Sequence, residues 1–218
     1  MVFDFAAIPA RERYKLLLSV VVPRPIAWVV TQDEHGRLNA APFSFFNAFA
    51  SDPPVIGVGV GSHDIGRPKD TRRNIRDTKQ FVVNLVSEEM AEAMNITAID
   101  FEHGISELIH AGLQTAPSVH VKPPRIAASP AAMECELMQI VDLGAESALV
   151  LGRVLAVHVR EEFVIDAAKH YIDTPNLKLI GRMHGSGWYA KTSDLFQMAR
   201  ISLAEWPNHK NKAPQSSR

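Results

Sequence analysis

Two stretches between Asn39 and Asn74 carry the residue types best suited to holding a ligand. In Asn39-Ala-Ala-Pro-Phe-Ser-Phe-Phe-Asn47, Pro42 has no N–H to give to a strand ladder. Neighbouring backbone groups are then open to the polar edge of a flat ring, with Phe43, Phe45 and Phe46 around Ser44 to pack against it. Further on, Lys69-Asp-Thr71 heads a helical pattern, where an ammonium, a hydroxyl and first-turn amides converge on one anion. Each stretch also has a plainer reading. The phenylalanines fill a core from a bulged strand, and Asp70 or Thr71 caps a helix while Lys69 is solvated. Arg72, Arg73 and Arg76 add positive charge and leave both readings open.

Other chemistries find less support. Gly57, Gly59 and Gly61 alternate as Gly-x-Gly-x-Gly, without the spacing of a dinucleotide fingerprint, and suit the close approach of a ligand or another backbone. Nine histidines include no His-x-His and no His-Glu-x-x-His, so no metal site is expected. Cys135 lies in a strand pattern and no serine sits in a Gly-x-Ser-x-Gly elbow, which argues against a protein nucleophile. Met183-His184-Gly-Ser-Gly-Trp188-Tyr189 is different. Its glycines hold a histidine and two aromatics in a late loop that either covers a flat ligand face or simply turns the chain before a last strand.

The elements that must position these groups follow from pattern and punctuation. The chain has 218 residues, 46% of them apolar, enough for one substantial core. Its 23 basic and 24 acidic side chains give a net charge of -1, which offers no field for nucleic acid or an anionic membrane. A single cysteine fits a reducing compartment, and the start lacks the pattern of a signal peptide, so a cytoplasmic setting is expected. Pro9 opens a short helix, and Ile26–Thr31 reads as a strand that turns through Gln32–Arg37 into the Asn39 segment. Val55–Val60 and Phe81–Val86 read as buried strands around a helix over Thr71–Thr78, and Ser87 as the cap of a helix to Met94. Asn95–Ser129 is a long, proline-rich excursion. Ala132–Leu143 and Ala148–Val159 form a hairpin, and Trp206–Arg218 a fraying tail. Short turns between strands favour an antiparallel barrel over a doubly wound sheet: a mainly β fold with peripheral helices, in one domain over residues 1–205 with a flexible tail at 206–218.

Arg24-Pro-Ile-Ala-Trp-Val-Val-Thr31, Asn39 to Asn47, Ser51-Asp-Pro-Pro54, Lys69-Asp-Thr-Arg-Arg-Asn-Ile75, Phe81-Val-Val-Asn-Leu85 and Lys122-Pro-Pro124 occur in the order found in flavin reductase-like, FMN-binding split-barrel proteins. The chain resembles the longer branch that includes flavoredoxin-type proteins, over roughly Val22 to Tyr189. The resemblance implies a homodimer of split β-barrels, each binding one FMN. It puts Phe43, Ser44 and Asn47 along the isoalloxazine, Lys69 and Thr71 at the phosphate with Ser62 in the preceding loop, and His184 near the flavin or the nicotinamide. Trp28 and Trp188 would narrow the ring's surroundings. The implied activity is an NAD(P)H:flavin reductase, with NADH or NADPH as reductant and a monooxygenase or other electron acceptor as partner. The alternatives are a non-enzymatic FMN carrier or sensor, and an FMN-dependent enzyme acting on a separate organic substrate.

Overall fold

The computed structural model describes residues 1–64, 67–102 and 104–206; most of the expected tail, residues 207–218, lies outside them. Seven strands form one antiparallel sheet: β1 (Ala27–Gln32), β2 (Leu38–Phe43), β3 (Phe46–Ser51), β4 (Pro54–Asp64), β5 (Gln80–Asn84), β6 (Ala131–Asp142) and β7 (Ser147–Val159). Across the sheet they run β2-β1-β5-β6-β7-β4-β3, with Arg67–Pro68 paired beside β4. The two edge strands, β2 and β3, are consecutive in the chain and joined by Ser44 and Phe45 alone. The helices are α1 (Ala10–Val20), α2 (Asp70–Thr78), α3 (Ala91–Ile96) and α4 (Glu107–His110). Mainly β with peripheral helices, the architecture is that of the split barrel. Among the described residues no helix is long and apolar enough to cross a membrane.

The apolar run of β1 reads as continuous because both of its faces are buried. Ala27 and Val29 join Phe43, Val58, Ile75 and Phe81 on one side, where α2 packs into the curl of the sheet. Ile26, Trp28 and Val30 face the other way, against Met94, Leu108 and Ile126 beneath α3 and α4. Trp28 is therefore a core residue, fully buried with its Nε1–H donating to Thr97 Oγ1 at 2.8 Å, and does not narrow a ligand's surroundings as expected. The alternating glycines of β4 do serve close approach. A Cβ on Gly57 would stand 2.5 Å from the Phe49 ring, and one on Gly59 2.8 Å from Phe45 Cβ. Ser87 differs from expectation. Its backbone is extended and bridges to Leu179, so a single 3-10 turn, Glu88–Met90, precedes α3 and the Ser87 side chain caps nothing.

The proline-rich excursion returns to the sheet on a buried charge. Glu134 of β6 alternates in sequence as though it pointed to solvent, yet it is fully buried. Its carboxylate accepts the amides of Val119 at 2.7 Å, His120 at 2.6 Å and Val121 at 3.1 Å, and the His158 Nε2–H at 2.5 Å. Burial alone would raise the Glu134 pKa. The Val119 amide, the His158 ring and the His120 amide outweigh burial and hold it below the usual carboxylate value. Because the folded-state pKa is depressed, the stability it confers is complete above about pH 5 and is lost as the pH falls through the folded value. Glu134→Gln sets an amide NH₂ against backbone donors and is expected to lower unfolding free energy by about 2 kcal/mol in neutral denaturant titrations, with a smaller loss of stability in acid than the parent shows. Identical acid profiles for parent and variant would refute this account of the arm.

Candidate functional site

Two groups of residues emerge, on either side of Pro42. The first surrounds the start of α2. The helix begins at Asp70, one residue before the expected start, and Lys69 occupies the cap position with no side-chain cap bond. Neither Asp70 nor Thr71 caps it. The Lys69 side chain offers the first-turn amides no acceptor, and the macrodipole leaves that end positive. A cavity of about 190 Å³ opens there, lined by Lys69, Asp70, Thr71 and Arg73 of the helix, Asn39 of β2, and Asp100 of the loop after α3. Lys69 Nζ lies 3.5 Å from Asp100 in a largely exposed contact.

The floor of this cavity is a buried polar network from four parts of the chain. Thr71, 1% exposed, donates its hydroxyl to Asn39 Oδ1 at 2.8 Å. Asn39 Nδ2 donates to Glu107 Oε1 at 2.7 Å, and the Ala40 amide to Glu107 Oε2 at 2.8 Å. Asn74 Nδ2 donates to Thr31 Oγ1 at 3.0 Å. Burial pushes the Glu107 carboxyl above its usual range and the nearby charge of Asp70 adds to the effect, against the pull of the Ala40 amide, its own amide and the Asn39 side chain. Thr71 serves as a strut that fixes α2 against β2, and the outward donors of the site are the Lys69 ammonium and the first-turn amides.

The second group gathers around Ser44. Its hydroxyl accepts the Arg24 Nε–H at 3.3 Å, and Arg24 also donates through Nη2 to the carbonyl of Met183 at 2.9 Å. Met183 begins the turn between the short strands Ile180–Arg182 and Tyr189–Lys191, closed by the Met183 amide on the Trp188 carbonyl at 2.9 Å. Gly185 and Gly187 take the positive φ that this turn requires, 59° and 81°. The His184 and Trp188 rings lie nearly parallel, 10° apart with centroids 6.1 Å apart, and both are exposed. Arg182 stacks over the Tyr189 ring at 4.8 Å.

The remaining expected residues are dispersed. Phe43 turns inward to the core. Asn47 is exposed on β3 and its Oδ1 accepts the Ala48 amide at 2.9 Å. Ser62 lines a different cavity, with Arg72 and Arg76 on another side of α2. Sequence reasoning missed Arg24 and Glu107 as parts of the site. Arg24 heads one of the motifs and was open to notice; Glu107, in the loose region after Asn95, carries no local signal. Burial pushes the Cys135 thiol up, which leaves it inert, and among the described residues no group of three or more His, Cys, Asp or Glu side chains is placed to hold a metal.

Comparison with known proteins gives this geometry a family. A Deinococcus radiodurans protein is 46% identical over 208 residues, 94% of this chain and 91% of its own. Nitrilotriacetate monooxygenase component B from Bacillus cereus superposes with a TM-score of 0.85 at 33% identity, covering 91% of this chain and 98% of that one. The 2-nitrobenzoate 2-nitroreductase NbaA of Pseudomonas fluorescens does so at 0.85 and 34%, covering 93% and 98%. The flavin reductase like domain profile matches residues 19–174, and by that match the chain belongs to the flavin reductase-like family.

Proposed function

We propose that the protein binds FMN and passes hydride from NADH or NADPH to flavin. The observation that carries this reading is the start of α2, where Lys69 holds the cap position without a side-chain cap bond and, with Thr71, lines a cavity that also reaches Asn39 and Pro42 of β2. The donor set suits a phosphate, which would displace Asp100 from Lys69. Lys69 and the start of α2 take the phosphate, and the Ser44 to Asn47 segment lies along the ring with Phe43 packed in the core behind it; Ser62 opens on the other side of α2 and is left out of the phosphate site. The bound flavin supplies the hydride acceptor; the chain binds it, orients it and shapes access to it. The likeness to a monooxygenase component B favours a separate oxygenase as consumer of reduced flavin. That to a 2-nitroreductase favours, as a second reading, direct reduction of an organic substrate on the bound flavin. Anaerobic mixing with NADH and with NADPH tests the common step, because a carrier or sensor would not bleach in catalytic time.

The subunit is proposed to work as a homodimer in the cytoplasm. None of the residues of α1 is buried; Tyr14, Leu17 and Val20 are exposed, as are Phe45 and Phe49, and the Tyr14 and Phe45 rings meet edge to face with centroids 6.3 Å apart. An apolar surface of this kind favours a second copy. Sedimentation is expected to give twice the 24.1 kDa chain mass, and a flavin-loaded monomer would contradict it.

Lys69→Ala is expected to raise the FMN dissociation constant by roughly one to two decades, the loss of a charge-assisted contact of about 1.5 to 3 kcal/mol, and to leave riboflavin binding nearly unchanged. Equal losses for the two flavins would show that Lys69 does not read the phosphate. His184→Ala is expected to keep flavin content and to slow anaerobic reduction by NAD(P)H about tenfold, as a misplaced nicotinamide costs about 1.4 kcal/mol in the transition state. Stopped-flow traces indistinguishable from the parent at all nicotinamide concentrations would return His184 to an ordinary turn residue.

A further inference from the structure

Arg24 is 4% exposed, and among the described residues its guanidinium hydrogen-bonds only to neutral oxygens. Nη1 donates to the carbonyls of Leu18 at 3.1 Å and Val21 at 2.7 Å, where α1 ends, Nη2 to the Met183 carbonyl at 2.9 Å, and Nε to Ser44 Oγ at 3.3 Å. Arg182, its partner in the ladder between Arg24–Pro25 and Ile180–Arg182, is a second cation, engaged with Tyr189 and the Gly185 carbonyl. Neither arginine forms an ion pair with a carboxylate among the described residues. An arginine stays charged in a protein, so this junction keeps a net positive charge next to Ser44.

The direction of the Arg24 to Ser44 bond matters more than its length. A guanidinium only donates, so Ser44 Oγ accepts and its single proton points elsewhere. No acceptor for that proton is present among the described residues. A hydroxyl that accepts from a cation is also a better donor, because the two bonds polarise each other.

We propose that Arg24 is a positioning residue: it turns the Ser44 hydroxyl proton outward, toward an acceptor atom on the edge of the bound ring, and so favours the reduced state of the flavin. The inference rests on the flavin reading of the site. Hydride brings two electrons and one proton to a neutral ring, which leaves it with one negative charge. A donor already aimed at the ring edge binds that state more tightly than the neutral one. Arg24 also holds the start of the turn that carries His184, so one side chain sets the donor and the turn together.

The test is the midpoint potential of bound FMN, read by anaerobic spectroelectrochemistry after flavin stoichiometry has been measured. Ser44→Ala is expected to lower the potential by about 30 mV, a tenfold change in the two-electron equilibrium, and Ser44→Thr to restore it. Arg24→Gln is expected to shift it the same way, and the double variant no further than Ser44→Ala alone, since the arginine acts through the serine. If Arg24→Gln does not fold, the two Ser44 variants decide the matter. A Ser44→Ala potential equal to the parent's, with full flavin content, overturns the inference and leaves the flavin reading standing. Shifts that add in the double variant overturn it as well, because Arg24 would then act by its field alone. A parent protein that takes up no FMN overturns both.

Discussion

The connection Ser44-Phe45 constrains everything else. It joins β2 to β3, which stand at opposite edges of a seven-strand sheet. Laid flat, those edges would be roughly 29 Å apart at the usual strand spacing, whereas two linking residues reach about 11 Å. The sheet has to curl until its edges meet. The glycines of β4 let the second edge fold over close to its neighbour, with the Phe45 and Phe49 rings laid on Gly59 and Gly57. Arg24 then ties the corner to the end of α1 and to the Met183 turn, at a place where the edges of the barrel are joined by chain rather than by a ladder.

The same logic of long-range restraint applies to α2. A short helix has no fixed position by itself. Thr71 and Asn74 give it one by bonding to Asn39 and Thr31, and Glu107 in turn holds Asn39 from the opposite side. A buried carboxylate is costly to keep charged, and the Asn39 and Ala40 donors offset only part of that, so the Glu107 pKa stays raised. Its use here is directional. With Glu107 as acceptor, the Asn39 amide is oriented with its oxygen toward the helix, so Thr71 has an acceptor and α2 sits at one height above the strand.

Much of this was legible in order, less in depth. The strands were readable because their apolar runs are bounded by polar turns, and the hairpin of β6 and β7 because its connection is short. The start of α2 was readable to within one residue. Sequence alone could not assign faces when both are buried, so Trp28 passed for a ligand neighbour. Nor could it separate Ser62 from Lys69, close in the chain but on different sides of α2. Arg24 and Glu107 were missed for a shared reason. Their partners lie 159 and 68 residues away, at Met183 and Asn39, and no local pattern encodes such a pairing.

The place of the β6 and β7 hairpin has a consequence for how the molecule is made. These strands enter the sheet between β5 and β4, both earlier in the chain. A nascent polypeptide therefore carries the Asn39 to Asn47 and Lys69 to Thr71 segments long before Ala131 appears, but β4 and β3 cannot join β2, β1 and β5 in one sheet, because its middle has not yet been synthesised. Until then β5 and β4 present unpaired rims to solvent, the condition under which nascent strands find wrong partners. The rate at which the hairpin inserts sets the interval during which the chain is vulnerable.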